Sequence, residues 1–326
     1  MGEAIWHTLY QADGAAILGR GIAGCHAKND LSEDRCRKCG VPLLKQYFIT
    51  ERRTHMRKVK LFDKKVAITG ASSGIGRATA LRMAMEGADV ALIARNRERL
   101  DEVAGEVRAL GRKAVVIEAD VTDDEEIKQA VDTAIEQLGG LDVFHCNAGI
   151  YLRCPAKDLR MDQIRKLMEV NYFGCLNCVY AVLPYFLQKK SGSIVTTCSM
   201  DGKKGVPPDA AYVGTKFAMN GFFQVLRQEL RGSGVHIGII YPSRMDTPQI
   251  AHVDCPKLTP KGDPDMVAKA VIRSVVKKKK ELMVPSFSCH MLTWADAISP
   301  SLGDWLVRVN HLAGTVNDTE PINEAK

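Results

Sequence analysis

The chain of 326 residues contains no uninterrupted run of about 18 apolar residues, the length a helix needs to cross a bilayer. Its N-terminus carries Glu3 and lacks the basic start and apolar centre of a secretory signal. Such a chain is expected to be cytoplasmic, with at most weak peripheral contact to a membrane. Ten cysteines would suggest a disulfide framework in a short secreted protein. Seven of them are instead scattered through a long sequence of intracellular type, and these read as reduced thiols. With 46% hydrophobic and 25% charged residues, the length suits one large α/β domain with appendages and is short for two catalytic domains. The net charge of +7 favours anions without choosing among nucleic acid, membrane and a phosphate-bearing cofactor. The lysine run at 277–280 has no aromatic residues interleaved, so it reads as a solvated face at a helix C-terminus. No nucleic-acid partner is expected.

Three parts follow one another along the chain. Residues 1–56 form a leader, rich in Gly and Ala at first and then in cysteine, charge and turn formers such as Gly40 and Pro42. A main domain over 57–286 takes its character from residue 64 onward. There Val66-Ala67-Ile68 reads as a short buried strand, followed by a Gly-rich turn and a helical pattern over 75–86. Strand-like segments at 89–93, 114–118, 141–146, 193–197, 235–241 and 281–284 then alternate with longer helical stretches. Their nearly continuous apolar character predicts a doubly wound parallel sheet of about seven strands with helices on both faces. The tail over 287–326 carries Trp294, Leu302, Trp305, Leu306 and Val307, and suits a substrate lid, a subunit contact or an interfacial anchor.

The turn Thr69-Gly70-Ala71-Ser72-Ser73-Gly74-Ile75-Gly76 lies between the first strand and the first helix, where a backbone must turn sharply and approach a ligand closely. A pyrophosphate would rest on the helix N-terminus, whose free N–H groups and positive dipole end attract anions. At the end of the second strand, where an acidic side chain would bind the ribose hydroxyl of NAD, stands Ala94 followed by Arg95. Arg95, with Arg77 as a second cation, suits the 2′-phosphate of NADP(H). Ser199 precedes Tyr212 by thirteen positions and Lys216 follows it by four, so Tyr212 and Lys216 share one helix face. A tyrosine is a poor acid or base at neutral pH, and a neighbouring ammonium is expected to lower its pKa. Tyr212 then reads as general acid or base, with Ser199 binding the substrate oxygen.

Over residues 64–285 these features resemble the short-chain dehydrogenase/reductase family, in its single-domain, Rossmann-fold branch. The resemblance implies cofactor contacts from Gly70, Ser72, Ser73, Gly74, Ile75 and Gly76. It implies adenine contact at Asp120 and Val121, and a sheet-stabilising, cofactor-flanking role for Asn147, Ala148 and Gly149. Asn171 would hold a water in a proton relay to Lys216, which would also bind the nicotinamide ribose. Tyr212 would protonate the carbonyl as hydride arrives, and Pro242 and Thr247 would flank the nicotinamide. Two positions depart from the family pattern: Cys146 replaces a frequent asparagine, and Ser243 replaces the usual glycine, leaving the backbone there open. Arg244 would meet an acidic substrate or serve the surface.

The function expected is NADP(H)-dependent interconversion of a ketone and a secondary alcohol on an apolar small molecule. Alternatives are reduction of a 3-oxoacyl thioester, or a protein that binds NADP(H) without turning substrate over. The family resemblance implies a homodimer or homotetramer formed through helices at 161–189 and 210–231. In the leader, Cys36-Arg37-Lys38-Cys39-Gly40 has the form of a zinc knuckle, with Cys25 and His26 upstream. Lys28 stands where a fourth thiolate would complete it. Zinc on Cys25, Cys36 and Cys39 would therefore need a histidine, and a disordered or untranslated leader is the alternative. Cys175 and Cys178 read as packing residues within a long helix.

Overall fold

The computed structural model describes residues 60–251, 253 and 260–312; the leader's Cys25, Cys36 and Cys39 lie outside them. Seven strands form a single parallel sheet in the order β3-β2-β1-β4-β5-β6-β7. They are β1 (Lys65–Thr69), β2 (Asp89–Ala94), β3 (Ala114–Glu118), β4 (Val143–Cys146), β5 (Gly192–Thr197), β6 (Val235–Pro242) and β7 (Glu281–Val284). This is the doubly wound fold expected, with the order of strand addition reversing between the parallel neighbours β1 and β4.

The strands read as continuous apolar runs because each of their faces meets a separate core. Val66, Ile68, Val90 and Leu92 pack on one side against Met83 of α1 (Gly74–Met85), Leu100 of α2 (Arg97–Ala109) and, from a later helix, Val271. Ala67, Ala91, Ile93 and Phe144 pack on the other side, against Val131 of α3 (Asp124–Leu138) and the long helices after β4 and β5. Each fully buried aliphatic side chain contributes roughly 1.5–3 kcal/mol, so neither face tolerates a polar alternation.

After β4 come α4 (Met161–Met168), a π-helical turn (Glu169–Phe173) and α5 (Gly174–Lys189). The span Met161–Lys189 is long and apolar enough to cross a membrane by composition, yet its α5 residues Cys175, Cys178, Val179, Val182 and Phe186 are buried in the core. The two thiols are thus packing residues, and Cys146 on β4 meets them there. α6 (Ala210–Glu229) follows β5, and α7 (Pro264–Lys277) lies between β6 and β7. The lysines ending α7 are exposed, and Lys278 closes the helix in the left-handed region while its Nζ donates to Ser193 Oγ at 3.0 Å.

The tail forms two helices, α8 (Ser286–Ile298) and α9 (Pro300–Val309). Phe287, Met291 and Leu292 from α8 and Leu306 from α9 line a cavity at the C-terminal edge of the sheet. Because all strands are parallel, that edge also collects the turns leaving β1 through β6, which is where such sheets hold ligands.

Candidate active site

The cavity has a volume of about 1010 Å³. One end is formed by the turn after β1. Gly70 and Gly74 there have φ of +66° and +52°, and a Cβ on Gly70 would come within 2.9 Å of the Ala148 backbone. Only glycine meets both demands without strain. Gly70, Ser72, Ser73, Gly74 and Ile75 line the cavity, whereas Gly76 sits behind it, where a Cβ would fall 2.1 Å from Gly70 O. Ser73, the N-cap of α1, makes no side-chain capping bond, and the first turn of α1 holds no acidic residue. By contrast, α2 and α3 are capped by Asn96 and Asp123. An uncapped helix start facing a cavity leaves free N–H donors for an anion, which fits the pyrophosphate of a dinucleotide.

Asn147 holds this turn to β4: its Nδ2 donates to Thr69 O at 3.1 Å, and its backbone N–H donates to Thr69 Oγ1 at 3.0 Å. Ala148 and Gly149 continue the wall, as do Pro242 and Thr247, and Thr247 Cγ2 packs close over Gly74. Ser243 has no positive φ, and its N–H donates to Val284 O at 2.7 Å, so the position does not require the glycine usual in the family.

At the end of β2, beside that turn, Arg95 lies 3.5 Å from Asp120 in an exposed ion pair, and both line the cavity with Val121. Arg99 lines it as well, a cation that the sequence reading passed over. Arg77 takes no part: it pairs with Glu106 through two hydrogen bonds of 3.2 and 2.6 Å and does not border the cavity. The i,i+4 logic that singled out Tyr212 and Lys216 had no counterpart for Arg99, whose place depends on how α2 packs.

Ser199, Tyr212 and Lys216 all line the cavity. Ser199 ends the extended segment after β5 and caps a short 3-10 turn, Met200–Gly202. Tyr212 and Lys216 lie one turn apart on α6, with the ammonium 5.4 Å from the phenol ring centroid. Lys216 Nζ donates to Thr197 O at 3.4 Å, and burial pushes its pKa down. The expected lowering of the Tyr212 pKa by this lysine does not occur. Burial, and next to it the Asp201 carboxylate, push the phenol well above its ordinary value, while the Ser199 hydroxyl draws it partly back. The ammonium is turned to the Thr197 carbonyl and lies over the ring, so its field acts weakly on the phenol oxygen.

Asn171 is fully buried within the π-helical turn and does not border the cavity. Its Oδ1 accepts from Ile150 N at 2.7 Å, and its Nδ2 donates to Ile150 O at 2.9 Å and to Thr215 Oγ1 at 3.2 Å. A Cβ on Gly149 would come 3.0 Å from Asn171 Oδ1 and 3.9 Å from Lys216 Nζ, so asparagine and lysine both approach the same glycine.

Three acidic or phenolic groups beside this cluster were not found from sequence. Asp201 binds Ser199 directly. Tyr151 stacks edge-on against Tyr212 at 4.9 Å and donates to Asp209 Oδ2 at 2.9 Å. Ser199-Met200-Asp201 carries a faint capping signal, a serine followed closely by an acid; nothing local marks Tyr151 or Asp209. Arg244, which also lines the cavity, donates to the Leu312 carbonyl and ties the tail to the site.

The sequence profile of short chain dehydrogenases matches residues 64–255. An uncharacterized oxidoreductase of Listeria monocytogenes is 40% identical over 187 residues, covering 57% of this chain and 75% of that protein. Ketoacyl reductase HetN of Nostoc is 31% identical over 227 residues, covering 69% and 79%. Among solved structures, carveol dehydrogenase from Mycobacterium avium in complex with NAD superposes with a TM-score of 0.63 at 26% identity, covering 69% of this chain and 96% of that one. A short-chain dehydrogenase/reductase from Mycobacterium marinum gives 0.65 at 26% identity, covering 70% and 96%. The chain belongs to the short-chain dehydrogenase family.

Proposed function

We propose that the protein is an NADP(H)-dependent oxidoreductase that interconverts a ketone and a secondary alcohol. One observation carries the reading: Ser199, Tyr212 and Lys216 converge at one end of a cavity whose other end is a glycine cradle over an uncapped helix start. NADP(H), when bound, supplies or accepts the hydride. The chain's own residues handle the oxygen. Ser199 holds the carbonyl oxygen, and Tyr212, whose raised pKa keeps the phenol protonated through neutral pH, delivers the proton. Lys216 and Asn171 close the site from behind, the lysine by binding the cofactor ribose.

Preference for NADP(H) rests on Ala94 where an acid would repel a 2′-phosphate, and on Arg95 and Arg99 at the same end of the cavity. The substrate's body is apolar, since Phe287, Met291, Leu292 and Leu306 cover the outer wall. Likeness to HetN favours a second reading, reduction of a 3-oxoacyl thioester. NADPH oxidation against a panel of ketones and 3-oxoacyl thioesters separates the two. Binding of NADPH without turnover of any compound would leave a cofactor-sensing protein instead, and a kcat/KM favouring NADH would refute the cofactor assignment.

Oligomerisation as a dimer or tetramer is supported by exposed apolar side chains on the two helices expected to carry it: Tyr180 and Leu187 on α5, Phe217 and Val225 on α6. Light scattering of the purified chain tests it. A cytoplasmic location and zinc on the leader cysteines complete the proposal, the latter checked by metal analysis of the full chain.

A further inference from the structure

Ser199 has one proton to give. In the structure its Oγ donates that proton to Asp201 Oδ2 at 3.1 Å and accepts from the Asp201 N–H at 3.1 Å. A serine committed in this way cannot also donate to a substrate oxygen, although the cavity it faces is where that oxygen must lie. The same 3.1 Å separation serves a bond of opposite direction if Asp201 carries a proton. Ser199 Oγ would then accept from both the Asp201 N–H and its carboxylic O–H, filling its two lone pairs, and its own proton would point into the cavity.

We propose that Asp201 is a positioning residue for Ser199: protonated, it donates to the serine and releases the serine hydroxyl to the substrate oxygen; ionised, it takes that hydroxyl for itself. The inference rests on the oxidoreductase reading above. The proton comes from solvent through the cavity and returns there, so no group is consumed.

The surroundings make this exchange accessible near neutral pH. Burial and the Asp209 carboxylate push the Asp201 pKa up to about 7, opposed by the Ser199 bond and by the charges of Arg244 and Lys216. These groups come from every side of the carboxyl. Asp209, Tyr212 and Lys216 lie on or next to α6, Arg244 follows β6, and Tyr151 follows β4. Burial raises the Asp209 pKa as well, while the Tyr151 hydrogen bond and the charges of Arg153 and Arg244 favour its carboxylate, the form that presses on Asp201.

Two measurements test the proposal, and the first does not depend on turnover. In the full-length protein labelled at aspartate carboxyl carbons, NMR should show one carboxyl titrating near pH 7 that disappears in Asp201→Asn. In Ser199→Ala the same signal should titrate at higher pH, because the lost hydroxyl had favoured the carboxylate. An Asp201 signal that titrates below pH 5, or one that Ser199→Ala leaves in place, overturns the proposal. The second uses any ketone that the enzyme reduces. The wild-type kcat/KM should fall about tenfold per pH unit above pH 7. Asp201→Asn, whose amide N–H donates permanently to Ser199, should stay within a few-fold of wild type at pH 6 and lose that decline. An unchanged decline in the asparagine variant, or loss of activity at every pH in a variant with native melting temperature, overturns it. If no carbonyl is reduced, the oxidoreductase reading fails while the titration still decides the Asp201–Ser199 coupling.

Discussion

Tyr212 and Lys216 show what a residue's environment adds to its identity. Burial raises the pKa of the one and lowers that of the other, so the phenol keeps its proton and the ammonium holds its own only against a desolvation penalty. Tyr212→Phe removes the phenolic proton and keeps the ring that stacks on Tyr151 at 4.9 Å. Turnover should drop by at least about 100-fold while NADPH affinity, read by fluorescence titration, stays within about threefold. Retained turnover would remove Tyr212 from the chemistry. At the other end of the cavity, a charge-assisted hydrogen bond is worth about 1.5–3 kcal/mol, or a factor of roughly 10–100. Arg95→Gln should therefore lower kcat/KM for NADPH by that factor and leave NADH nearly unaffected; equal losses with both cofactors would place Arg95 away from the 2′-phosphate. Tyr212 and Lys216 were legible in the sequence because helix periodicity turns a four-residue spacing into proximity, and Ser199 because it follows closely on an apolar strand. Asp209 and Tyr151 were not, since they meet through loops that follow different strands and no spacing encodes that meeting.

Elements were legible where the packing was simple. A strand buried on both faces must be apolar throughout, and the segments expected at 114–118 and 281–284 are the observed β3 and β7, while the others differ at their ends by one or two residues. The π-helical turn at Glu169–Phe173 left no sequence signal, because it depends on Asn171 exchanging hydrogen bonds with the Ile150 backbone from another part of the chain. The two-helix form of the tail and its place on the cavity were equally hidden, for the apolar residues of α8 and α9 serve a lid as well as they would a subunit contact. Gly76 in α1 and Gly105 in α2 make a paired test. Gly76→Ala places a Cβ 2.1 Å from Gly70 O and 2.8 Å from Asn147 Nδ2, so the cradle must move. Overpacking of this kind costs about 1–3 kcal/mol, and NADPH binding should weaken with it. Gly105→Ala, inside α2 with nothing within 4 Å, should gain about 0.5–1 kcal/mol from helix propensity. Thermal melts compare the two, and a Gly76→Ala variant as stable as Gly105→Ala would contradict the close packing.

For the molecule as a whole, buried titratable groups pull stability in opposite directions with pH. His145 is fully buried between β1 and β5, with Nε2 at 2.8 Å from Thr197 Oγ1, and burial lowers its pKa from 6.5 to about 3. His236 is lowered to about 4, by burial and by Lys278. Groups whose pKa is lower in the folded state add stability above their unfolded value and lose it as pH falls, so both histidines make the protein weaken from pH 6.5 downward. Asp201 acts the other way. Raised from 3.8 to about 7, it binds an extra proton in the folded state, and its contribution declines as pH rises through the same range. One proton of difference between folded and unfolded states corresponds to about 1.4 kcal/mol per pH unit. Between pH 4.5 and 6, the slope of unfolding free energy against pH should therefore rise by about that amount in Asp201→Asn, which removes the opposing group. It should fall by about as much in His145→Gln, which keeps a hydrogen-bonding partner for Thr197 and never charges. Urea unfolding at constant ionic strength across this range measures both slopes. Two variants with the wild-type slope would mean that neither side chain differs in protonation between the folded and unfolded chain.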